Sequence, residues 1–174
     1  MRSRGIELPV PGAIRFARLR HRPSGLTLPC MVALVNRPQW SAIHRTWLKE
    51  DGSGKAEVEP PRMALSEIGR GVVRLCPPSR VMGLAEGIET ALSATQLTGV
   101  TCWSAISAGN LEIVDLPPGV QEVHIFADDD ERGRAAGNIA MRHFLAQGRR
   151  TVKLRLPPEG YGDYNDYLTG RKRP

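Results

Sequence analysis

Long apolar runs are missing from this sequence. No stretch approaches the roughly 20 residues that cross a bilayer, and the opening residues 1–12, MRSRGIELPVPG, hold no apolar signal-peptide core. The expectation is a cytoplasmic protein, neither secreted nor attached to a membrane. Cysteine is scarce too. Cys30, Cys76 and Cys102 are odd in number and far apart, with no CxxC pair and no Cys/His cluster. That excludes a disulfide framework and a zinc site and predicts small buried hydrophobes. The four histidines lack ligand spacing, and His124 and His143 are expected in or near the core. Aromatic residues make up only 5%, and Trp40, Trp47 and Trp103 are too scattered for a base-stacking platform.

What is present is the balance of a folded chain: 174 residues, 41% hydrophobic and 24% charged, with 14 Pro and 18 Gly. The length suits one compact unit or two small lobes sharing a core. The net charge of +6 hides an asymmetry, since residues 1–80 carry +8 and residues 81–174 carry −2. A basic half joined to an acidic half suggests a polyanion groove beside a metal-binding carboxylate cluster, or else ordinary surface charge. Double prolines at Pro60-Pro61, Pro77-Pro78, Pro117-Pro118 and Pro157-Pro158 mark connections. The pair at 77–78 coincides with the change of charge and divides the chain into a lobe of residues 1–78 and a lobe of residues 79–174.

The first lobe reads as small, antiparallel and β-rich. Met31 to Val35 is a short apolar run, Ala42 to Leu48 is rich in strand formers, Asp51-Gly52-Ser53-Gly54 is turn chemistry, and Gly71 to Leu75 reads as another strand. In the second lobe, strands at Val81–Ala85, Val100–Ala105, Val123–Ala127 and Val152–Leu156 alternate with helices from Ile88 and from about Arg132 to Gln147. That alternation predicts an α/β, doubly wound, mainly parallel four-stranded sheet.

Ligands of such sheets gather at the carboxyl ends of the strands. Glu86 ends the first of these strands, Asp128 and Asp130 follow the third, and Asp163 and Asp166 follow the fourth. Carboxylates brought to one edge repel one another unless cations neutralise them. Hard oxygen ligands favour Mg²⁺ or Mn²⁺. Ser104, Ser107 and Ala108-Gly109-Asn110 follow the second strand at the same edge. They either line the site through backbone N–H groups or form a plain turn.

The segments Leu84-Ala85-Glu86-Gly87-Ile88-Glu89-Thr90-Ala91, Ile125-Phe126-Ala127-Asp128-Asp129-Asp130-Glu131-Arg132-Gly133-Arg134 and Asp163-Tyr164-Asn165-Asp166 together resemble the Toprim family. This is the metal-binding domain shared by bacterial primases, type IA and II topoisomerases and some nucleases. Across about residues 81–170 the wording is most similar to Toprim primases of phages and mobile elements. The resemblance implies a Toprim-type sheet in which Glu86, Asp128, Asp130 and Asp163 hold Mg²⁺ or Mn²⁺. Of these, Glu86, Asp128 and Asp130 are catalytic, with Glu86 either a ligand or the general base. The chain departs from bacterial primases at Thr90, where they carry aspartate, and at Asn165, where they carry a second aspartate.

Residues 43–48 and 51–56 resemble the segment before Toprim in bacterial primases, and this maps Arg45 and Lys55 onto a basic surface for nucleotide and template. Arg45 shares a strand face with Ile43 and Trp47, so it either faces a groove or lies over Trp47. Gly54-Lys55 is not a Walker A end, because Lys49 and Ala56 stand where glycine and Ser/Thr belong.

The implied activity is that of a DNA primase core making RNA primers on a single-stranded DNA template from ribonucleoside triphosphates, in the replication of a phage, plasmid or integrated element. It would work with a separate replicative helicase and a separate zinc-binding module. The alternatives are a Toprim nuclease and a non-catalytic nucleic-acid-binding remnant. A topoisomerase nucleophile among Tyr161, Tyr164 and Tyr167 is disfavoured, because that tyrosine belongs to a domain not seen in this sequence.

Overall fold

The computed structural model describes residues 1–37 and 39–173. Four antiparallel strands, β1 (Ile14–Arg20), β2 (Thr27–Asn36), β3 (Ser41–Trp47) and β4 (Arg62–Leu65), form a first sheet in that order. The central strands β2 and β3 fall where the apolar and β-branched runs predict them. The edge strands β1 and β4 carry arginines and are exposed along most of their length. That is how edges are protected against pairing with other chains, and it is also why no alternation signals them.

The expected strand at Gly71–Leu75 is not formed. Val72 instead makes an isolated bridge to Asn36 in β2, and Val73 makes one to Ser104. Adjacent residues thus serve two different sheets, and the segment can join neither as a full strand.

The second sheet is wholly parallel, in the order β6 (Cys102–Ser104), β5 (Val81–Ala85), β7 (Glu122–Phe126), β8 (Thr151–Arg155). Helices α1 (Ile88–Thr98) and α3 (Glu131–Ala146) lie near the predicted positions. Two short helices lie where the sequence suggests only a turn and an acidic loop: α2 (Ala108–Leu111), capped by Ser107, and α4 (Tyr164–Thr169), capped by Asp163. Met82, Leu84, Trp103 and Ile125 pack against Ala140 and Phe144 of α3 on one face of the sheet. Ala85, Cys102 and Phe126 pack against Ala91 and Ala94 of α1 and Tyr164 of α4 on the other. With helices on both faces, the doubly wound expectation holds, preceded by the β-rich lobe.

The two sheets meet over α1. Ile14, Ala33, Val35 and Ala42 of the first sheet share a buried cluster with Ile88 and Leu92 of α1, joined by Ile6, Val73 and Ile106. Each valine, leucine and isoleucine among them contributes on the order of 1.5–3 kcal/mol when fully buried, so this contact holds the lobes at a fixed angle. The first residues of the chain run across it: Glu7 N–H donates to Gln96 Oε1 at 2.8 Å, and Gln96 Nε2 donates to the Gly5 carbonyl at 3.0 Å.

The scarce residues serve packing. Cys30 and Cys102 are buried and Cys76 half-buried, all as thiols. Burial pushes the Cys102 thiol up to about 12, so it is unreactive. His124 is buried against Glu122 at 2.7 Å, and His143 is half-buried beside Phe144. Among the described residues, no helix is long and apolar enough to cross a membrane.

Gly83 sits where a side chain has no room. A Cβ there would lie 2.1 Å from Cys102 Sγ and 2.9 Å from the Phe126 ring. Gly83→Ala is therefore expected to cost about 1–3 kcal/mol of stability, read as a lower denaturant midpoint. Adding Cys102→Ala should recover part of that loss, because Sγ is the nearest obstacle. An unchanged midpoint in the single mutant contradicts the packing described.

Candidate active site

The chain leaves β5 to form β6 on one side, then crosses back to form β7 on the other. The strand order therefore reverses between β5 and β7, and crevices open at the carboxyl ends of such strand pairs. Glu86 follows β5 and Asp128 follows β7, so both stand at this point. The Glu86 carbonyl accepts a hydrogen bond from Ser104 Oγ at 2.9 Å, and the same hydroxyl accepts from Ile106 N–H at 3.2 Å. Ile106 is held there at φ 73°, a left-handed conformation costly for a β-branched residue.

Two helix caps complete the acidic wall. Asp130 caps α3, its Oδ1 accepting from Gly133 N–H at 2.6 Å, and Asp163 caps α4, its Oδ1 accepting from Asp166 N–H at 2.7 Å. Both carboxylates thus sit at the positive ends of backbone dipoles. Gly133 is required by close approach, since a Cβ there would be 2.5 Å from the Asp128 carbonyl. The third acidic loop is tied to the second by the Asp129 N–H, which donates to the Gly162 carbonyl at 2.7 Å. Asp129 itself pairs with Arg134 and Arg173, and Asp166 with Arg171, so these two acids are occupied by arginines.

Glu86, Asp128 and Asp163 line one cleft of about 530 Å³ between the sheets. Asp130 adjoins it and contributes to the field on Asp128. Burial, then repulsion from Asp163, Glu86, Asp130 and Asp166, pushes the Asp128 carboxyl up to about 7. Its Oδ1 is buried without a hydrogen-bond partner. An orphaned hard oxygen amid four other carboxylates fits a divalent cation. Among the described residues no three His, Cys, Asp or Glu side chains already converge as a closed ligand set.

The opposite wall comes from the first sheet. Met31, His44, Thr46 and Arg62 line it, with Ser53, Gly54 and Lys55 from the turn after β3. Asp51 Oδ1 accepts from Ser53 N–H at 2.9 Å, which shapes that turn and sets Lys55 at the cleft. Arg45 is not brought to the cleft. Alternation along β3 sends Ala42, His44 and Thr46 toward the cleft and α1, and Ile43, Arg45 and Trp47 to the far face. There Trp47 belongs to a small separate cluster with Cys30 and Ala56. The Arg45 guanidinium lies 5.2 Å from the Trp47 ring centre and donates to the Ala64 carbonyl at 3.4 Å. Of the two positions open to Arg45 from the sequence, the structure takes the one over Trp47.

Sequence reasoning missed His44 and Arg62. The polar pair His44 and Thr46, alternating with Ile43, Arg45 and Trp47, was the available signal. Arg62 follows Pro60-Pro61 on an edge strand that nothing in the sequence announces. His44 Nδ1 is buried without a partner. Burial, then Arg62 and Arg45, lowers the imidazole to about 4, so it is neutral at pH 7 and the wall's charge comes from Arg62 and Lys55.

Met1, Ser3 and Arg4 line one end of the cleft, and Arg171 also borders it. Ser3 Oγ donates to the Gly52 carbonyl at 3.2 Å, and Arg4 pairs with Glu89 at 2.9 Å. Asn165 is buried, its Nδ2 donating to the Arg4 carbonyl at 2.8 Å and to Ser93 Oγ at 3.0 Å. At this position the amide holds α4 on α1. Asn110 similarly donates to the Gly71 and Ala105 carbonyls, so α2 braces the connecting segment. Tyr164 is buried and donates to the Leu156 carbonyl, which leaves it no access to substrate.

The Asp128 carboxyl has an ordinary pKa of 3.8 and a folded one of about 7. Its contribution to stability is therefore present below about pH 4 and is lost as pH rises through about 7. In chelator at pH 8, Asp128→Asn is expected to melt above wild type, by ~2–4 °C for each kcal/mol relieved. At pH 4 the two should converge. Identical melting at pH 8 contradicts this electrostatic picture.

A family model described as Toprim domain matches residues 81–173, and one described as a domain of unknown function (DUF7146) matches residues 1–75. No curated protein matches the chain. Among solved structures the chain is similar to the primase fragment of the bacteriophage T7 primase-helicase protein, at 14% identity and TM-score 0.59 over 90% of this chain and 63% of that one. It is similar to the Aquifex aeolicus primase (zinc binding and RNA polymerase domains), at 17% identity and TM-score 0.60 over 97% of this chain and 41% of that one. It is also similar to a DnaG primase catalytic domain bound to ssDNA, at 16% identity and TM-score 0.50 over 80% of this chain and 54% of that one. At these identities the likeness is one of fold, and the chain spans less than two thirds of each structure.

Proposed function

The chain belongs to the Toprim family, and from that premise we propose that it is the catalytic core of a DNA primase, joining ribonucleotides on a single-stranded DNA template in the replication of a phage, plasmid or integrated element. One observation carries this reading: the acidic loops of the second sheet and a basic wall of the first face each other across a single cleft. The similarity to a catalytic domain bound to single-stranded DNA supports a template strand as one ligand of that wall. The primase-like residues 43–56 favour polymerisation over hydrolysis.

Toprim domains generally bind divalent metal. Asp128, Asp130, Asp163 and Glu86 would hold Mg²⁺ or Mn²⁺ here, which would supply charge neutralisation at the reacting phosphate. In the reaction a primer 3′-oxygen bonds to the α-phosphorus of the incoming triphosphate. The bond from that phosphorus to the bridging oxygen breaks, pyrophosphate leaves, and the hydroxyl gives up its proton. Glu86 receives that proton if it is the general base, or serves only as a ligand if it is not. Lys55 and Arg62 hold triphosphate or template phosphates by charge-assisted hydrogen bonds. Arg45, on the far face, supports β3 through Trp47. A separate replicative helicase and a zinc-binding module would act with it.

One assay with single-stranded DNA, ribonucleotides and Mg²⁺ or Mn²⁺ tests the reading. New oligoribonucleotides support it. Degraded template marks a nuclease instead, and binding without either marks a non-catalytic remnant. Asp128→Ala should abolish transfer. Asp130→Asn is the better second variant, because asparagine keeps the α3 cap that alanine would lose at a cost of ~1 kcal/mol. Glu86→Gln should lose rate but keep calorimetric metal affinity if Glu86 is the base, and lose both if it is a ligand. Wild-type turnover in Asp128→Ala removes the assignment.

The placement of Arg45 and Arg62 yields a separate expectation. Arg62→Ala and Lys55→Ala should each weaken template binding and flatten its salt dependence by about 0.7 in log–log slope, or else raise the nucleotide KM. Arg45→Ala should lower stability and leave both nearly unchanged. The reverse pattern contradicts the assignment of faces.

A further inference from the structure

Strand register places Phe16, Met31, Thr46 and Arg62 side by side on one face of the first sheet, each in a different strand. Met31, Thr46 and Arg62 line the cleft. Phe16 stands at the outer end of the row, on β1, and is 71% exposed. A lone exposed phenylalanine carries no weight by itself, but its surroundings do. Two positions away on the same face, Ile14 is buried in the contact with α1. Beyond Phe16 in the other direction come Arg18 and Arg20, both exposed. Arg18 is partnered by Glu50 at 2.8 Å, while Arg20, Arg62 and Lys55 form no ion pair among the described residues.

The other aromatic rings are committed. Trp47, Trp103, Phe126 and Phe144 are buried, and the exposed Trp40 lies under the Arg37 guanidinium at 4.3 Å. Phe16 has neither an aromatic nor a cationic partner among the described residues. An unpartnered ring at the exposed edge of the sheet, set among arginines and continuous past half-buried Met31 and buried Thr46 with a basic cleft, has the chemistry of a base-stacking step. Bases stack on aromatic side chains displayed by four-stranded sheets while basic residues track the backbone. Strands spaced by about 4.8 Å make the row about 14 Å long.

From this we infer that single-stranded nucleic acid leaves the cleft across the first sheet, perpendicular to its strands, and that Phe16 stacks a base at the edge. The inference rests on the template-binding reading above and adds a path and a residue to it. Phosphates lie along Lys55 and Arg62 within the cleft. Met31 forms the floor between the two ends.

The test is fluorescence anisotropy of the full chain with a labelled oligodeoxythymidine and with an abasic strand of the same length. Phe16→Ala is expected to weaken oligodeoxythymidine binding at least about fivefold. Its salt slope should match wild type, because stacking releases no counterions. On the abasic strand Phe16→Ala and wild type should bind alike, and Phe16→Trp should restore the loss on thymidine. Equal affinity of Phe16→Ala and wild type for thymidine overturns the proposal and leaves the ring as a contact for a protein partner. It leaves template binding standing. A wild-type chain that binds no strand at all overturns both.

Discussion

The apolar contact of Ile14, Ala33, Val35 and Ala42 with Ile88 and Leu92 of α1 holds the two walls of the cleft apart at a fixed angle. These residues occupy only one end of one face of the first sheet. The other end of that face, with Met31, His44, Thr46 and Arg62, lines the cleft and becomes the basic wall. A sheet buried along its whole face would leave no cleft, and one buried nowhere would leave the basic residues unaligned with the acidic loops. Val72 and Val73 reinforce the joint by bonding backbone to backbone with each sheet in turn.

Across from that wall, the acidic loops concentrate like charge at some cost, and the fold offsets it locally. Asp130 and Asp163 sit at helix N-termini, where backbone N–H groups donate to their carboxylates and stabilise negative charge. Asp129 and Asp166 are taken up by arginines. The residual repulsion falls on Asp128, whose buried oxygen has no partner and whose carboxyl is pushed up to about 7. This is the arrangement expected of a site whose charge balance is completed by something it binds.

Much of this was legible in the sequence, for reasons that differ by element. The parallel sheet announced itself because buried strands read as short apolar runs and each is followed by a helix or a turn. The carboxylates were legible because a strand end is a fixed point: once β5 and β7 are placed, Glu86 and Asp128 follow. Edge strands β1 and β4 gave no such signal: β1 mixes arginines with apolar residues on both faces, and β4 has only four residues. The short helices α2 and α4 were hidden because one or two turns carry too few residues for a helical period to show, although Ser107 and Asp163 are ordinary cap residues.

Arg45 and Phe16 mark where local pattern stops being informative. Period-two alternation divides a strand into two faces, and Ile43 and Trp47 identified one face of β3 as apolar. Both faces turned out to have a buried part: Trp47 in a small outer cluster, Ala42 in the contact with α1. The sequence by itself determined the strands of the parallel sheet, the central strands β2 and β3, the acidic strand ends and the family to which they belong, because those depend on neighbours close in the chain. Which face of the first sheet meets α1, and with it the choice of Arg62 over Arg45 and the alignment of Phe16 with the cleft, depends on the packing of residues far apart in sequence. Only the tertiary structure decided that.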